Sequence, residues 1–460
     1  MTQTIFYDSG RCGDGKTYSY LRHIAANKGC YIIAFDRVDI MKQRAAELEA
    51  MSMKPTIITI NEKARHGFKS VVEAIENIPN DYTTDGTHFV IMITHQSMLC
   101  SRFSSAFSDW ELVIDEDFSI FQSAQWNTGS RLTHFHDQFQ HQPTDDPSLY
   151  RISRSQSQRI TAYAADDTIS DAVKDFRRLV ERQDVFSYSN DPDSFSWWSV
   201  WSFEELKHFK RVTILANAYP EKLSFKIGSI VQNVKFVPHH RPTTRHWTSR
   251  PVTIRYFSEE SGSRTYFESD VGQRNLSRIA RWSRNAASPL TYSSKNSYIE
   301  DNLGGTEIKP LSTGRNDLQT YDRGVFVYSA QASNDEVVLL ERMTDGKITR
   351  QDIKRDRELE AIAQFALRGT LRNPTHQGTF ELCLFSKEQA EETADFLVRN
   401  GYVTSEDIRL EFVDLKLEAK PVKPNGRPKM VLSTEEKAAR TKEQNRLRAK
   451  AARAKRKGAL

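Results

Sequence analysis

The residues of this chain with the clearest capacity for chemistry lie near its N-terminus, at positions 10 to 17. The sequence there is Gly-Arg-Cys-Gly-Asp-Gly-Lys-Thr, which fits the phosphate-binding pattern G-x-x-x-x-G-K-[ST]. Glycines allow consecutive backbone N–H groups to curl around a phosphate, and a helix that begins directly afterwards presents its positive N-terminus to the same anion. We therefore predict that the chain binds ATP together with Mg²⁺. The predicted nucleotide-binding residues are Gly10, Gly13, Asp14, Gly15, Lys16 and Thr17.

Two side chains of this loop have specific predicted tasks. The ammonium group of Lys16 can reach the β- and γ-phosphates, and the hydroxyl group of Thr17 can ligate Mg²⁺. The flanking sequence fits the motif, because residues 5–7 resemble a short strand and residues 18–27 carry apolar side chains at helical spacing. The alternative is an unrelated glycine-rich turn.

A second group of chemically capable residues follows a mostly apolar segment, Trp110 to Ile114, which ends in Asp115, Glu116 and Asp117. A strand buried in a parallel sheet has such an apolar sequence, and its carboxyl end opens toward the ligand crevice. Asp115 would then hold Mg²⁺, directly or through water. Glu116 would orient or deprotonate the water that attacks the γ-phosphate. The alternative is that these acids are ordinary turn residues.

The elements that would position these motifs alternate between strands and helices. Residues 30–35, 55–60 and 87–94 are predicted strands with helical stretches between them, which favours an α/β fold with a parallel, doubly wound sheet. Residues 118–205 interrupt the alternation, and we predict an irregular or helical insertion there. A strand pattern returns at 211–218, and a second α/β unit without its own P-loop follows.

Five large aromatic residues cluster in the last part of this insertion and just beyond it. Interleaved with polar residues, they could stack on exposed bases. We favour the alternative, in which they pack the insertion against the first domain. The residues are Trp197, Trp198, Trp201, Phe203 and Phe209.

Length and composition narrow the classes of protein that fit. A chain of 460 residues is expected to hold two or three domains. No apolar run approaches the roughly 20 residues that span a bilayer, and the first residues lack the basic and apolar regions of a secretory signal. The four cysteines are scattered without a C-x-x-C pair, which fits a reducing compartment. We expect a cytoplasmic protein, in a bacterium or a phage-infected host, without a membrane partner; the sequence does not predict its oligomeric state.

The positive charge of the chain is concentrated at its C-terminus. Residues 420–460 contain 14 Lys and Arg residues against three Glu residues, whereas the rest of the chain contains 51 basic and 57 acidic residues. We predict that residues 416–460 form a basic tail, disordered or helical, that binds a polyanion. Arg427 follows a glycine and precedes a proline, as in minor-groove hooks, so Arg427 and Lys429 are predicted nucleic-acid contacts. A solubilising tail without a target is the alternative.

The order and spacing of these motifs resemble those of superfamily 2 helicases, the DEAD/DEAH-like translocases with two RecA-like domains, of the kind found in phages and plasmids. The resemblance covers roughly residues 5–375. In the motif names used for these helicases, residues 13–17 resemble motif I and residues 115–117 resemble motif II. Phe118 replaces the usual fourth residue of motif II. Residues 364–372 resemble motif VI, with the second arginine one position late.

The resemblance implies a fold and further site residues. It implies an α/β chain with two RecA-like P-loop domains in tandem, at residues 1–225 and 226–415, with an insertion in the first domain and the basic tail at the end. Gln364, Arg368 and Arg372 of the second domain would act beside Glu116 in catalysis. Other motif positions would contact nucleic acid; these are Arg37, Thr94, His95, Gly314 and Arg315.

Three functions remain open on the sequence. The first is an ATP-dependent helicase or translocase that moves on or unwinds DNA, with RNA as the alternative substrate. The second is a packaging or restriction-type motor on duplex DNA. A nuclease-like cluster of acids and lysine after residue 375 would favour this function, and the sequence has none there. The third is a non-catalytic nucleic-acid-binding protein with a degenerate ATP site. The presence of Lys16, Thr17, Asp115 and Glu116 argues against it.

Overall fold

Two parallel β-sheets and one antiparallel sheet organise the chain in the computed structural model. The structure describes residues 3–51, 55–82, 88–127, 139–145, 149–154, 176, 179–188, 194–239, 247–310 and 317–420. The predicted contacts Gly314, Arg315, Arg427 and Lys429 lie outside the described residues, as does the tail beyond residue 420.

The first sheet carries the two N-terminal motifs. Its seven strands within the described residues run in the order β12-β1-β11-β5-β2-β4-β3, and all neighbours are parallel. Helices cover both faces, so the strands are continuous apolar runs such as that of β2. The strands are β1 (Thr4–Asp8), β2 (Cys30–Phe35), β3 (Thr56–Thr59), β4 (Phe89–Thr94), β5 (Trp110–Asp115), β11 (Arg211–Leu215) and β12 (Lys235–Pro238). The helices are α1 (Lys16–Ala26), α2 (Val38–Glu49), α3 (Val71–Tyr82), α4 (His95–Cys100) and α5 (Leu223–Ile230).

The insertion is a five-stranded antiparallel sheet in the described residues, in the order β6-β10-β9-β8-β7. The predicted irregular or helical insertion is therefore wrong for these segments. These strands were not recognised in the sequence because they contain many polar residues. One face of an antiparallel sheet can be solvated while the other is buried, so polar residues are compatible with strands. The strands are β6 (Phe121–Asn127), β7 (Phe139–Pro143), β8 (Tyr150–Arg154), β9 (Val185–Tyr188) and β10 (Ser194–Val200).

The tryptophans of the insertion pack inside the molecule. Trp198 belongs to the main hydrophobic cluster of the first sheet, and Trp197 belongs to a small cluster within the insertion. Their exposed fractions are 4% and 8%. Neither ring is free to stack on a base, which agrees with the packing interpretation.

The second sheet organises the C-terminal half of the chain. Its six strands within the described part run in the order β15-β14-β16-β17-β13-β18, again all parallel. The strands are β13 (Val252–Ser258), β14 (Thr291–Lys295), β15 (Thr306–Glu307), β16 (Arg323–Val327), β17 (Phe380–Ser386) and β18 (Ile408–Phe412). The α-helices are α6 (Arg264–Phe267), α7 (Asp270–Asn285), α8 (Asn334–Met343), α9 (Arg350–Lys354), α10 (Glu360–Ala366) and α11 (Lys387–Arg399).

The predicted α/β fold with two parallel-sheet domains and an insertion in the first is confirmed. The first sheet extends to Pro238, because β12 pairs with β1, so its last strand lies beyond the predicted boundary at residue 225. We call the unit of the first sheet the first domain and that of the second sheet the second domain. Apolar residues of α8, among them Val337 and Leu340, share one hydrophobic cluster with the first sheet, so the two domains are packed together.

The segment that carries the predicted motif VI is not one continuous helix, although its sequence predicts one over residues 354–371. A π-helical turn, Arg355–Leu359, joins α9 to α10, and the helix ends at Ala366. A short 3₁₀ turn, Thr370–Arg372, follows. Gly369 sits between them because a Cβ atom there would lie 2.6 Å from the carbonyl oxygen of Tyr321, so a side chain cannot fit.

Within the part of the chain that the structure describes, every helix is too short or too polar to span a bilayer.

Candidate nucleotide-hydrolysis site

The P-loop connects the carboxyl end of β1 to the start of α1. Gly13 and Gly15 have φ values of +91° and +77°, a backbone region that glycine adopts without a steric penalty. Gly10 donates its N–H group to Asp8 Oδ1 at 2.9 Å. Lys16 Nζ donates to the carbonyl oxygens of Gly10 at 2.6 Å and Arg11 at 3.1 Å. The loop is thus closed by its own hydrogen bonds, with its lysine inside the curve.

Thr17 and Asp115, the predicted Mg²⁺ ligands, are in direct contact. Thr17 Oγ1 donates to Asp115 Oδ1 at 2.6 Å. Burial raises the pKa of Asp115, while Thr17, Arg44 and Lys16 oppose that shift. A hydroxyl group and a carboxylate are the hard oxygen ligands that Mg²⁺ prefers, so this pair fits that ion.

Glu116 has an unusual backbone and an unusual acidity. Its φ is +76°, which is rare outside glycine and concentrates at functional sites. Its N–H group donates to the carbonyl oxygen of Leu215 on β11 at 3.1 Å. Burial, with Asp115 and Glu360, raises the pKa of Glu116 to about 7 against the effect of Lys16. A carboxylate that titrates near neutral pH is suited to accept a proton from water.

The second domain places Gln364, Arg368 and Arg372 opposite these groups. Arg368 is 3% exposed, and burial lowers the pKa of its guanidinium to about 10, with Arg372 acting in the same direction. The side chain of Arg372 packs on the P-loop, since a Cβ atom at Gly13 would lie 3.3 Å from Arg372 Cγ.

One cleft between the domains, of about 650 Å³, brings most of the predicted site together. That volume lies within the usual range for small-molecule sites. The predicted residues that line the cleft are Gly13, Gly15, Lys16, Thr17, Asp115, Glu116, Gln364, Arg368 and Arg372. Gly10 and Asp14 belong to the same loop and shape it, but are not among the lining residues.

Asp14 links the loop to the second domain. Its Oδ2 accepts the N–H group of Arg11 at 2.9 Å, and its Oδ1 accepts Nε1 of Trp247 at 2.8 Å. Beside it, the N–H group of Cys12 donates to the hydroxyl oxygen of Tyr402 at 2.7 Å. Sequence reasoning missed Trp247 and Tyr402, because neither belongs to a recognisable motif.

Two further supports hold the arginine-bearing turn. Arg250, 1% exposed, donates to the carbonyl oxygens of Thr370 and Asn373 at 2.6 Å each. Tyr292 donates its hydroxyl group to the carbonyl oxygen of Phe365 at 2.8 Å, at the end of α10. Both residues were missed, since an isolated arginine or tyrosine carries no sequence signal.

The cleft also contains a charge pair that the sequence analysis did not single out. Arg44 Nη1 contacts both carboxylate oxygens of Glu47, at 2.8 and 2.6 Å, and both side chains line the cleft. The only signal in the sequence is their spacing of three residues on α2, which places them on one face.

The predicted nucleic-acid contacts in the first domain have mixed settings. Arg37 is partly exposed and pairs with Asp39 at 3.1 Å, so its side chain is accessible. Thr94 caps α4, where its Oγ1 accepts the N–H group of Ser97. His95 is buried against Phe118, and burial lowers its pKa to about 4. Of the three, Arg37 is the residue with an exposed side chain, and the predicted contacts at Thr94 and His95 stay predictions.

Comparison with known proteins places the fold. The chain is similar to a solved structure of XPD in its apo form, with 11% identity and a TM-score of 0.51 over 89% of this chain and 97% of the other. It is also similar to an XPD helicase, with 10% identity and a TM-score of 0.52 over 89% of this chain and 96% of the other. No family model and no curated protein matches the sequence. The chain therefore shares the fold of these two structures, with two RecA-like domains in tandem.

Proposed function

We propose that this protein is an ATP-driven helicase or translocase that acts on nucleic acid, with DNA as the favoured polymer and RNA as the alternative. One observation carries the proposal. Lys16, Thr17, Asp115 and Glu116 of the first domain line the same cleft as Arg368 and its neighbours from the second domain. The likeness of the fold to an XPD helicase supports the same conclusion.

The proposed reaction is hydrolysis of MgATP. Thr17 and Asp115 would hold Mg²⁺, which neutralises phosphate charge when it is bound. Lys16 would leave its two carbonyl acceptors for the phosphates, which are stronger acceptors because they are charged. Glu116 would accept a proton from the attacking water as the new bond to the γ-phosphorus forms and the bond to the leaving ADP breaks.

The second domain would make hydrolysis depend on how the domains are arranged. Arg368 and Arg372 would stabilise the charge of the transferring phosphoryl group, and a cleft between two domains supplies them only when it is closed. A polymer held by both domains would then be moved as the cleft opens and closes in each cycle. Arg37, and the predicted contacts Gly314, Arg315, Arg427 and Lys429, are our candidates for the polymer surface.

The proposal is tested by measuring phosphate release from ATP with no polymer, single-stranded DNA, duplex DNA and RNA in parallel. We expect wild-type protein to hydrolyse ATP, and at least one polymer to raise the rate. Lys16→Ala is the control, since it removes the phosphate-binding cation without touching a core residue. The mutant should keep the wild-type melting temperature and lose hydrolysis.

The same experiment separates the alternatives. Stimulation by duplex DNA alone would favour a packaging or restriction-type motor. Binding of polymer without any hydrolysis would identify a non-catalytic protein and overturn the proposal.

A further inference from the structure

A short stretch of the first domain, residues 221–226 at the start of α5, makes four polar contacts with the second domain. Lys222 pairs with Glu360, and the N–H group of Leu223 donates to Asp356 Oδ1 at 2.9 Å. Lys226 Nζ contacts Asp352 Oδ1 at 2.6 Å, and Glu221 pairs with Arg399 at 2.7 Å. This stretch therefore forms a polar seam between the domains, and its residues do not line the cleft.

The acceptors on the second domain form a regular series. Asp352, Asp356 and Glu360 follow one another every four residues. Their contacts with residues 222–226 show that all three face the first domain, although a π-helical turn lies among them. The next two positions in the series are Gln364 and Arg368, which line the cleft. The helical segment thus connects the seam to Gln364 in the cleft, and Arg368 follows just after its end at Ala366.

Glu360 contacts both a residue of the seam and a residue of the cleft. Its Oε2 forms the ion pair with Lys222, and its Oε1 accepts a hydrogen bond from Nε2 of Gln364 at 2.9 Å. Lys222 therefore contacts Gln364 through a single carboxylate. We find no such bridge at Lys226 in the described residues, because its partner Asp352 lies two steps farther from the cleft in the series.

Lys222 is buried among carboxylates. It is 5% exposed. Burial alone would lower the pKa of Lys222, but Glu360, Asp117 and Asp356 raise it above its usual value. Asp117 in turn has its pKa raised to about 7 by burial and by Asp356, and Lys222 opposes that shift. Removing this cation would leave several acids buried without compensation, which is costly in a low-dielectric interior.

We propose that Lys222 is a positioning residue which, through Glu360, holds Gln364 in the cleft and so couples the domain seam to ATP hydrolysis. This inference rests on the proposed function. Lys222 does not line the cleft, so it would act on the phosphoryl-transfer step without binding the nucleotide. The predicted signature is a lower kcat with an unchanged KM for ATP.

The test is a double-mutant cycle on full-length protein, with Lys222→Met, Glu360→Gln and the double variant. We expect each single variant to lower kcat roughly 10- to 100-fold, the scale of a misplaced group in an active site, with KM within about threefold. The double variant should be no slower than the slower single variant, since both changes break the same bridge from the seam to Gln364 and their effects should not add. Polymer stimulation is measured for each variant and should fall with kcat.

Lys226→Met is the matched control, because it removes a lysine from the same seam but not the bridge to Gln364. It should lower the melting temperature without lowering the kcat of the folded protein. If Lys222→Met does not fold, Glu360→Gln alone carries the test, because it keeps the shape of the side chain and removes only its charge.

Two results would count against these proposals in different ways. Wild-type protein that does not hydrolyse ATP overturns the proposed function and this inference together. A wild-type protein that hydrolyses ATP, with unchanged kcat in Lys222→Met or Glu360→Gln, or with equal losses in the Lys226→Met control, overturns this inference alone.

Discussion

The three acids at the end of β5 have different surroundings, and these surroundings separate their roles. Asp115 meets Thr17 at 2.6 Å. Glu116 faces the cleft with a backbone in the left-handed region. Asp117 accepts a hydrogen bond from Ser224 and lies beside the seam. We infer that only Glu116 is placed to prepare the attacking water.

Glu116→Gln tests whether Glu116 is the group that accepts the proton from the attacking water. The amide keeps the size of the side chain but cannot accept a proton, so we expect ATP to bind with near wild-type affinity while turnover falls by about 10²-fold or more. Binding is measured with a fluorescent nucleotide and turnover by phosphate release. Asp117→Asn is the comparison variant, and retained turnover in Glu116→Gln with loss in Asp117→Asn would mean that the two acids have been assigned the wrong way round.

The pKa of Glu116 also sets a pH dependence. Because burial raises that pKa to about 7, the carboxylate is protonated and inactive as a base below pH 7 and ionised above it. We expect kcat/KM to rise about tenfold per pH unit up to pH 7 and to level off above it. The residual activity of Glu116→Gln should lack this rise. A profile that is flat between pH 5.5 and pH 8 would exclude Glu116 as the base.

At the scale of elements, local chemistry could be predicted and non-local packing could not. The P-loop and the acids after β5 were predictable because each depends on a few consecutive residues with fixed chemical needs. The strands of the insertion were not, because β8 pairs with β9 and β10 pairs with β6 across long separations in the sequence, and their exposed faces are polar. Trp247 and Tyr402 were missed because they meet the P-loop only in the folded chain.

The break after α10 shows the same limit. The sequence of residues 354–371 has the composition of one helix, but Tyr321 approaches the backbone at Gly369, and that contact comes from a distant segment. The break turns the chain so that Arg368 and Arg372 reach the cleft. If the helix continued past Ala366, the two arginines would lie farther along the helix axis instead of turning into the cleft.

Gly369→Ala tests whether this break is required. The new methyl group would lie 2.6 Å from the carbonyl oxygen of Tyr321, so the backbone must shift. We expect a loss of about 1–3 kcal/mol in the free energy of unfolding, as for other overpacked sites, and a lower kcat because both arginines move. Gly29→Ala is the control, since its methyl group would only approach the ring of Tyr31, at 3.3 Å. Wild-type stability and kcat in Gly369→Ala would refute a structural need for glycine.

At the scale of the whole molecule, the P-loop and the end of β5 in the first domain face α10 and the turn after it in the second domain across one shared cleft. The P-loop touches the second domain through Asp14 and Cys12, and α5 touches it through the seam. A change in the angle between the domains therefore alters the distance between Glu116 and the arginines, which is how binding of a polymer could control hydrolysis.

The basic tail should strengthen polymer binding electrostatically, without any effect on the hydrolysis site. Deleting residues 420–460 removes 14 basic and three acidic residues. Each phosphate neutralised contributes about 0.9 to the slope of log affinity against log salt, so if half of the tail charges contact phosphates, deletion should reduce that slope by roughly 5. Hydrolysis without polymer should not change, and a tail of the same composition in scrambled order should restore the slope. Equal slopes with and without the tail would show that it does not bind the polymer.

The most direct test of a composite site is Arg368→Ala, measured for MgATP affinity and kcat in the same preparation. Because an arginine from a second domain acts mainly on the transition state, we expect affinity within a few fold of wild type and kcat lower by about 10³-fold. Arg355→Ala is the control, as this arginine belongs to the same helical segment but pairs with Glu392 at 2.9 Å outside the cleft, and it should keep wild-type kcat. An unchanged kcat in Arg368→Ala, or a loss of affinity with kcat intact, would contradict a hydrolysis site completed by the second domain.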